Sequence, residues 1–121
     1  LMGGRYELGG ETAAVSIFDP ASERWRNGPR MLTTRGGFAT AAGDDHLLVA
    51  GGELIYGALL LRNEVEVIGA GWERWSALPP LPVSVHGAAG ALSDGRFWVL
   101  GGSTRAGGIR NAGQVQILSW E

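Results

Sequence analysis

Short apolar runs that end in paired glycines punctuate the chain. "LLVAGG" at 47–52 and "FWVLGG" at 97–102 share this shape, and "LMGG" at 1–4 is a truncated version of it. Other segments alternate: "VSIF" at 15–18, "VEVI" at 65–68 and "VQIL" at 115–118. That period-two pattern predicts strands with one face buried. Weakly apolar, small-residue runs, "GFATAA" at 37–42 and "GAAGAL" at 87–92, lead into "GDDH" and "SDGR". The Asp and Gly of those tetrads suit tight hairpin turns. No stretch has helical periodicity. "GALLLRNEVEVI" is apolar enough for a helix, but glycine bounds it and its Val65–Ile68 end repeats elsewhere as a strand.

The whole pattern recurs at a shift of fifty residues. Val15, Val65 and Val115 coincide, as do Ile17, Val67 and Ile117. "ERW" at 23–25 falls on "ERW" at 73–75, Pro29 on Pro79, Gly37 on Gly87, Asp44 on Asp94, and Gly51–Gly52 on Gly101–Gly102. Gly3–Gly4 is two residues out of step, which a change of loop length explains. Each unit reads as four short strands, the signature of a β-propeller blade. The predicted fold is therefore all-β. Residues 1–35 form the end of a first blade, 36–83 a complete second blade, and 84–121 a third blade without its outer strand. That is about two and a half blades of an incomplete ring. Propellers close with about four to eight blades, and an open array leaves bare blade faces and strand edges. The expectation is a portion of a larger ring, with further copies of the chain completing the ring as the alternative.

Five features stand in order: a double glycine closing strand two, the alternating third strand, "FDP" after it, "ERW", and the "PRMLTTR" segment at 29–35. Together they resemble a kelch repeat, over essentially the whole chain, of the bacterial type and from the C-terminal portion of such a protein. Two departures stand out. The second unit has "VIGAGWERW" where the first has "IFDPASERW", and Val85 stands where the kelch arginine, Arg35, stands in the first. The resemblance implies a double glycine where the chain leaves strand two. It also implies Trp25 and Trp75 packed between blades, and an outer strand for the last blade supplied by the other terminus of the ring.

Composition narrows the function classes. The 121 residues are 45% hydrophobic and 18% charged, in keeping with a chain that buries a core. Ten bases against twelve acids give a net charge of −2, so no basic footprint for nucleic acid exists. No apolar run reaches the length of a membrane span. The chain has no cysteine, which removes disulfides, zinc–thiolate sites and a cysteine nucleophile and leaves the compartment open among bacterial cytoplasm, periplasm and the exterior. No G-x-S-x-G elbow, H-E-x-x-H motif or phosphate loop is present. No cofactor or metal is expected, and Asp44, Asp45 and His46 read as turn chemistry rather than a metal cluster.

In antiparallel blades the loops between strands two and three share one face with the blade-to-blade connectors. Loops on a rigid scaffold commonly carry binding. That face is expected to present Arg5, Arg35, Glu53, Tyr56, Arg62, His86, Arg105, Arg110 and Asn111. Arg35 has the planar donor fork that grips anions, and the kelch resemblance implies a structural or a ligand-facing role for it alike. His86, at the start of an innermost strand, is expected to point toward the central channel and can exchange protons near neutral pH. Arg105 and Arg110 flank a glycine pair in a loop, and Asn63 and Asn111 are read as equivalent caps before strand three. The leading reading is a non-catalytic scaffold whose loop face and channel hold a protein or a small ligand, an anion or carbohydrate among them. The alternative is a sugar-active enzyme resembling the sialic-acid mutarotases, with His86, Arg35 and Arg110 as its working residues. A carboxylate beside His86 in a closed polar pocket would favour the enzyme; a broad open face would favour the scaffold.

Overall fold

The computed structural model describes residues 1–119, and none of them is helical. The strands are β1 (Arg5–Tyr6), β2 (Gly10–Glu11), β3 (Ser16–Asp19), β4 (Arg24–Asn27), β5 (Ala39–Ala42), β6 (His46–Ala50), β7 (Glu53–Leu54), β8 (Leu60–Leu61), β9 (Val65–Gly69), β10 (Trp75–Leu78), β11 (Ala89–Ser93), β12 (Arg96–Leu100) and β13 (Val115–Ser119). They form one four-stranded antiparallel sheet, β10-β9-β6-β5, a three-stranded sheet, β11-β12-β13, and the two-stranded pair β3-β4. Two small ribbons, β1-β2 and β7-β8, project from the loops that follow the double glycines. The sheets lie side by side as blades and do not close on themselves.

Backbone bonds fix how the units correspond. The amides of Gly3, Gly51 and Gly101 donate to the carbonyls of Ala14, Glu64 and Gln114. Arg5, Glu53 and Ser103 therefore hold one structural position in three successive blades, two residues past the first glycine. The shift between the first two units is 48 at this point, as the change of loop length requires. The register Arg5↔Glu11, Glu53↔Leu61 and Ser103↔Asn111 restores the shift of fifty one ribbon later. Asn111 thus matches Leu61 and not Asn63, which corrects the expected pairing of the two asparagines. Asn63 instead donates from Nδ2 to the carbonyl of Leu81 in the next connector, at 3.2 Å.

The first glycine of each pair tolerates two demands at once. Gly51 has a φ of +67°, and a Cβ there would lie 2.5 Å from the carbonyl oxygen of Val85. A side chain would need both a left-handed backbone and the space occupied by the next connector. The hairpin between β11 and β12 uses Asp94 and Gly95, both at positive φ, as a two-residue primed turn requires. The turn after β3 is held by Asp19, whose carboxylate accepts from the Ala21 amide and the Ser22 hydroxyl.

Three blades pack face to face at two joints. Val15, Met2 and Ile17 meet Val49, Ile68 and Trp75 across one joint. Ala50, Val65 and Val67 meet Phe97, Val99 and Leu118 across the next. Trp75 is 4% exposed and donates its indole N–H to the carbonyl of Pro29 at 2.9 Å. Trp25, at the matching position, is 61% exposed. The expectation that both tryptophans plug blade joints holds for Trp75; at Trp25 no blade among the described residues lies against the ring.

Candidate functional site

The connector into each blade meets the loop after the double glycine. Gly36 bridges Glu53, and His86 bridges Ser103. His86 thus stands where Gly36 stands in the preceding blade, and the imidazole reaches back toward Glu53. Glu53 is buried, and both of its oxygens are engaged. Oε1 accepts from Arg5 Nη2 and lies 3.3 Å from His86 Nδ1. Oε2 accepts from the Gly107 amide at 2.8 Å. Arg5 is shared in turn: its Nε donates to Glu11 Oε1 at 3.0 Å. Four side chains from three successive blades form one chain of contacts, Glu11–Arg5–Glu53–His86.

His86 Nε2 faces two carbonyl oxygens, Arg105 at 2.9 Å and Gly108 at 3.0 Å. Facing only acceptors on that side, Nε2 must carry a proton. Ser103, also buried, completes the grip. Its hydroxyl accepts from the amides of Arg110 and Arg105 and donates to the carbonyl of Gly108 at 3.1 Å. Glu53, His86 and Ser103 therefore fasten the 103–110 loop through its backbone. The loop's side chains are left outside: Arg105 and Arg110 are exposed, and neither guanidinium has a partner among the described residues.

Glu11 is held on two sides. Burial alone would raise its pKa, but the Ile55 amide and the Arg5 guanidinium outweigh that and keep the carboxyl below its ordinary value. Through Ile55 it also ties the ribbon of the second blade to that of the first.

The remaining expected site residues are distributed differently. Arg35 is 0% exposed. Its Nη1 donates to the carbonyls of Gly51 and Glu64, each at 2.8 Å, and its Nη2 to Glu66 Oε1 at 2.6 Å. Glu66 in turn accepts the Leu32 amide through Oε2 at 2.7 Å. Arg35 is therefore a fastener between connector and blade, and no ligand reaches it; its expected anion-gripping and catalytic roles are withdrawn. Burial pulls its pKa down, and the Glu66 carboxylate opposes that shift. Arg62 is half-buried and paired with Glu64 at 3.2 Å. Tyr56 and Asn111 are exposed on the loop side. Asp44 and Asp45 occupy the β5–β6 turn, where Asp45 contacts His46 Nδ1. Among the described residues no three His, Cys, Asp or Glu side chains converge as metal ligands, and no helix is long and apolar enough to cross a membrane.

Sequence reasoning missed Glu11 and Ser103. Glu11 gave no signal, since the residues fifty and a hundred further on, Leu61 and Asn111, do not share its chemistry. Ser103 was findable: it follows the double glycine as Glu53 does, and that shared position is the one the loop-fastening residues use.

No family model matches the chain. It is 35% identical over 97 residues to Kelch-like protein 34 of Homo sapiens, a match that covers 79% of this chain. It is 30% identical over 106 residues to N-acetylneuraminate epimerase of Pasteurella multocida (strain Pm70), covering 80% of this chain. The chain spans 15% and 28% of the lengths of these two relatives. Among solved structures it superposes on one described as "Structure of YjhT" with a TM-score of 0.74 and 18% identity, covering 92% of this chain and 37% of the other. That likeness is one of fold.

Proposed function

Taking as premise that this chain belongs to the kelch-repeat β-propellers, we propose that its fastened 103–110 loop is a binding site for a small anionic carbohydrate. The observation that carries this reading is the division of labour in the loop. Glu53, His86 and Ser103 bond its backbone, while the Arg105 and Arg110 guanidinium groups stay exposed without partners among the described residues. A loop held rigid by buried side chains presents its guanidinium groups with little ordering left to lose on binding. Guanidinium forks suit a carboxylate. Arg5, partly exposed beside Glu53, and Asn111 extend the same polar surface.

A second reading is an enzyme that interconverts sugar anomers, in the manner suggested by the name of the Pasteurella relative. The 3.3 Å approach of His86 to the Glu53 carboxylate favours it. His86 and Arg110 remain its working residues, and Arg35 leaves the set. Binding is preferred because both Glu53 oxygens and His86 Nε2 are already committed to the chain, whereas a general base needs a lone pair aimed at the substrate.

The test is an NMR titration of the chain with N-acetylneuraminate, reading chemical-shift changes in the 103–111 amides and the exchange rate between sugar anomers. Saturable shifts without faster exchange, lost in the Arg105→Ala/Arg110→Ala variant, support the binding reading. Faster exchange that needs His86 supports the enzyme. Neither shifts nor faster exchange at millimolar sugar overturns both.

A further inference from the structure

Two consecutive glycines in the fastened loop carry unlike side chains. Leu59, at the tip of the β7-β8 ribbon, rests on Gly107: a Cβ there would lie 3.0 Å from Leu59 Cδ2 and 3.7 Å from Ile55 Cγ2. Arg105 folds back over Gly108, where a Cβ would lie 3.2 Å from its Cδ and from its Nε. An apolar tip and a guanidinium arm thus stand over Cα atoms about 3.8 Å apart. Both side chains are open to solvent, Leu59 at 73% exposure. The joint between the first two ribbons forms without such a pair. Counted back from the aligned Glu11 and Leu61, Gly9 holds the place of Leu59. Counted on from Glu53 and Ser103, Gly57 holds the place of Gly107, and apart from its chain neighbours nothing among the described residues lies within 4 Å of a Cβ there. On the same count Ile55 and Leu60 stand where the last loop has Arg105 and Arg110. The leucine and the two arginines therefore belong to this junction and not to the way ribbons pack.

We propose that Leu59 is the specificity-determining residue of the loop site, seating an apolar group that the ligand carries next to its carboxylate. The inference rests on the binding reading of the 103–110 loop and narrows its ligand to an anionic sugar with an apolar aglycone. The guanidinium groups of Arg105 and Arg110 take the carboxylate. The Leu59 methyls, with the alkyl stem of Arg105 beside them, offer the only kind of contact that an aglycone can use, the removal of apolar surface from water. The spacing of the two features selects the sugar. In a 2-keto sugar acid the carboxylate and the anomeric oxygen share one carbon, so a glycoside holds its aglycone directly beside the charge. In a uronic acid the two sit at opposite ends of the ring and cannot reach neighbouring residues of one loop. Because Glu53, His86 and Ser103 already hold the loop backbone, Leu59 is not needed to order it.

The experiment is an NMR titration of the chain with N-acetylneuraminate and, separately, with its benzyl α-glycoside, using wild type, Leu59→Ser and Arg110→Ala. Leu59 is exposed and a glycine fills its place at the preceding joint, so the serine leaves the fold intact, as the unchanged amide spectrum will register. Wild type is expected to bind the benzyl glycoside roughly tenfold more tightly than the free sugar, with nuclear Overhauser contacts from the phenyl protons to the Leu59 methyls. Leu59→Ser is expected to bring that ratio close to one while its affinity for the free sugar stays as in wild type. Arg110→Ala is expected to weaken both ligands alike and to keep the ratio. A benzyl glycoside that binds no more tightly than the free sugar, a ratio that survives in Leu59→Ser, or a Leu59→Ser variant that loses both ligands equally overturns the inference and leaves the binding reading standing. Failure of both ligands to bind wild type overturns that reading, and this inference with it.

Discussion

Arg35 and Glu66 meet at 2.6 Å with neither side chain reaching solvent, and fifty residues on, Val85 and Gln116 stand in their places. The two units solve one problem differently. A connector must be pinned to the third strand of the blade it enters. Glu66 does this by accepting the Leu32 amide; Gln116 does it by accepting the Val83 amide at 2.8 Å and donating to the Val83 carbonyl at 3.0 Å. Pro82 occupies the Leu32 position and has no amide to offer, so the bond moves one residue along. Where the arginine goes, the matching negative charge goes too.

This pairing yields a sign prediction. Glu66→Gln keeps an acceptor for Leu32 but leaves the Arg35 guanidinium buried without a counter-charge, which costs about 3–5 kcal/mol when one partner of a buried pair is removed. Adding Arg35→Val removes the stranded charge. The double variant, with one more substitution, is expected to be more stable than Glu66→Gln alone. Urea denaturation midpoints of the three proteins decide it; a double variant less stable than the single refutes the account.

The loop fastening can be read amide by amide. Gly107 gives its N–H to a buried carboxylate, a bond of the charge-assisted class worth about 1.5–3 kcal/mol. In Glu53→Ala the Gly107 amide is expected to exchange with solvent roughly tenfold to a hundredfold faster, since each 1.4 kcal/mol is a factor of ten. The Leu32 amide, held by Glu66 in the neighbouring joint, is the internal control and keeps its rate. Hydrogen exchange followed by NMR gives both numbers in one experiment.

Acid weakens the tie between the first two ribbons. The folded Glu11 carboxyl lies below its ordinary value of 4.5, so the unfolded chain binds the proton more readily. Its contribution is complete above that ordinary value and is lost as the pH falls through the lower, folded value. Glu11→Gln removes this linkage. The variant is expected to be less stable than wild type at pH 7, and the difference to shrink as the pH is lowered through the acid range. Denaturation midpoints between pH 7 and pH 3 measure it, and a gap that widens on acidification contradicts the assignment.

The blade repeat was legible because it rests on features visible in one dimension: alternation in Val15–Phe18, Val65–Ile68 and Val115–Leu118, and paired glycines at fixed intervals. The site was less so. The sequence leaves Arg35 open between a structural and a ligand-facing role, because it shows a cation but not the carboxylate thirty-one positions away that neutralises it. His86 was read as channel-facing, yet its ring is taken up by carbonyls nineteen and twenty-two residues on. Trp25 and Trp75 share the "ERW" context, and the sequence does not show which of the two rings has a blade packed against it. Periodicity reports which face of a strand is apolar, not whether anything covers it.

Blade backbones approach closely at their innermost strands, and one residue permits it. Gly90 on β11 faces Thr40 on β5, and a Cβ at Gly90 would fall 2.5 Å from the Thr40 carbonyl oxygen and within 3 Å of its carbon and nitrogen. All three are backbone atoms of a paired strand, so no rotamer change relieves the clash. The Gly87 amide bonds the Gly37 carbonyl at 2.6 Å just before these strands begin, which ties the two blades at the same level. Gly90→Ala must therefore push the strands apart, at about 1–3 kcal/mol for an overpacked methyl. Gly113→Ala is the control: nothing lies within 4 Å of a Cβ there and its φ is not in the left-handed region. The expected result is a clear fall in denaturation midpoint for Gly90→Ala and a change within about 0.5 kcal/mol for Gly113→Ala. Equal midpoints for the two variants would mean that the innermost strands do not sit as close as these distances place them.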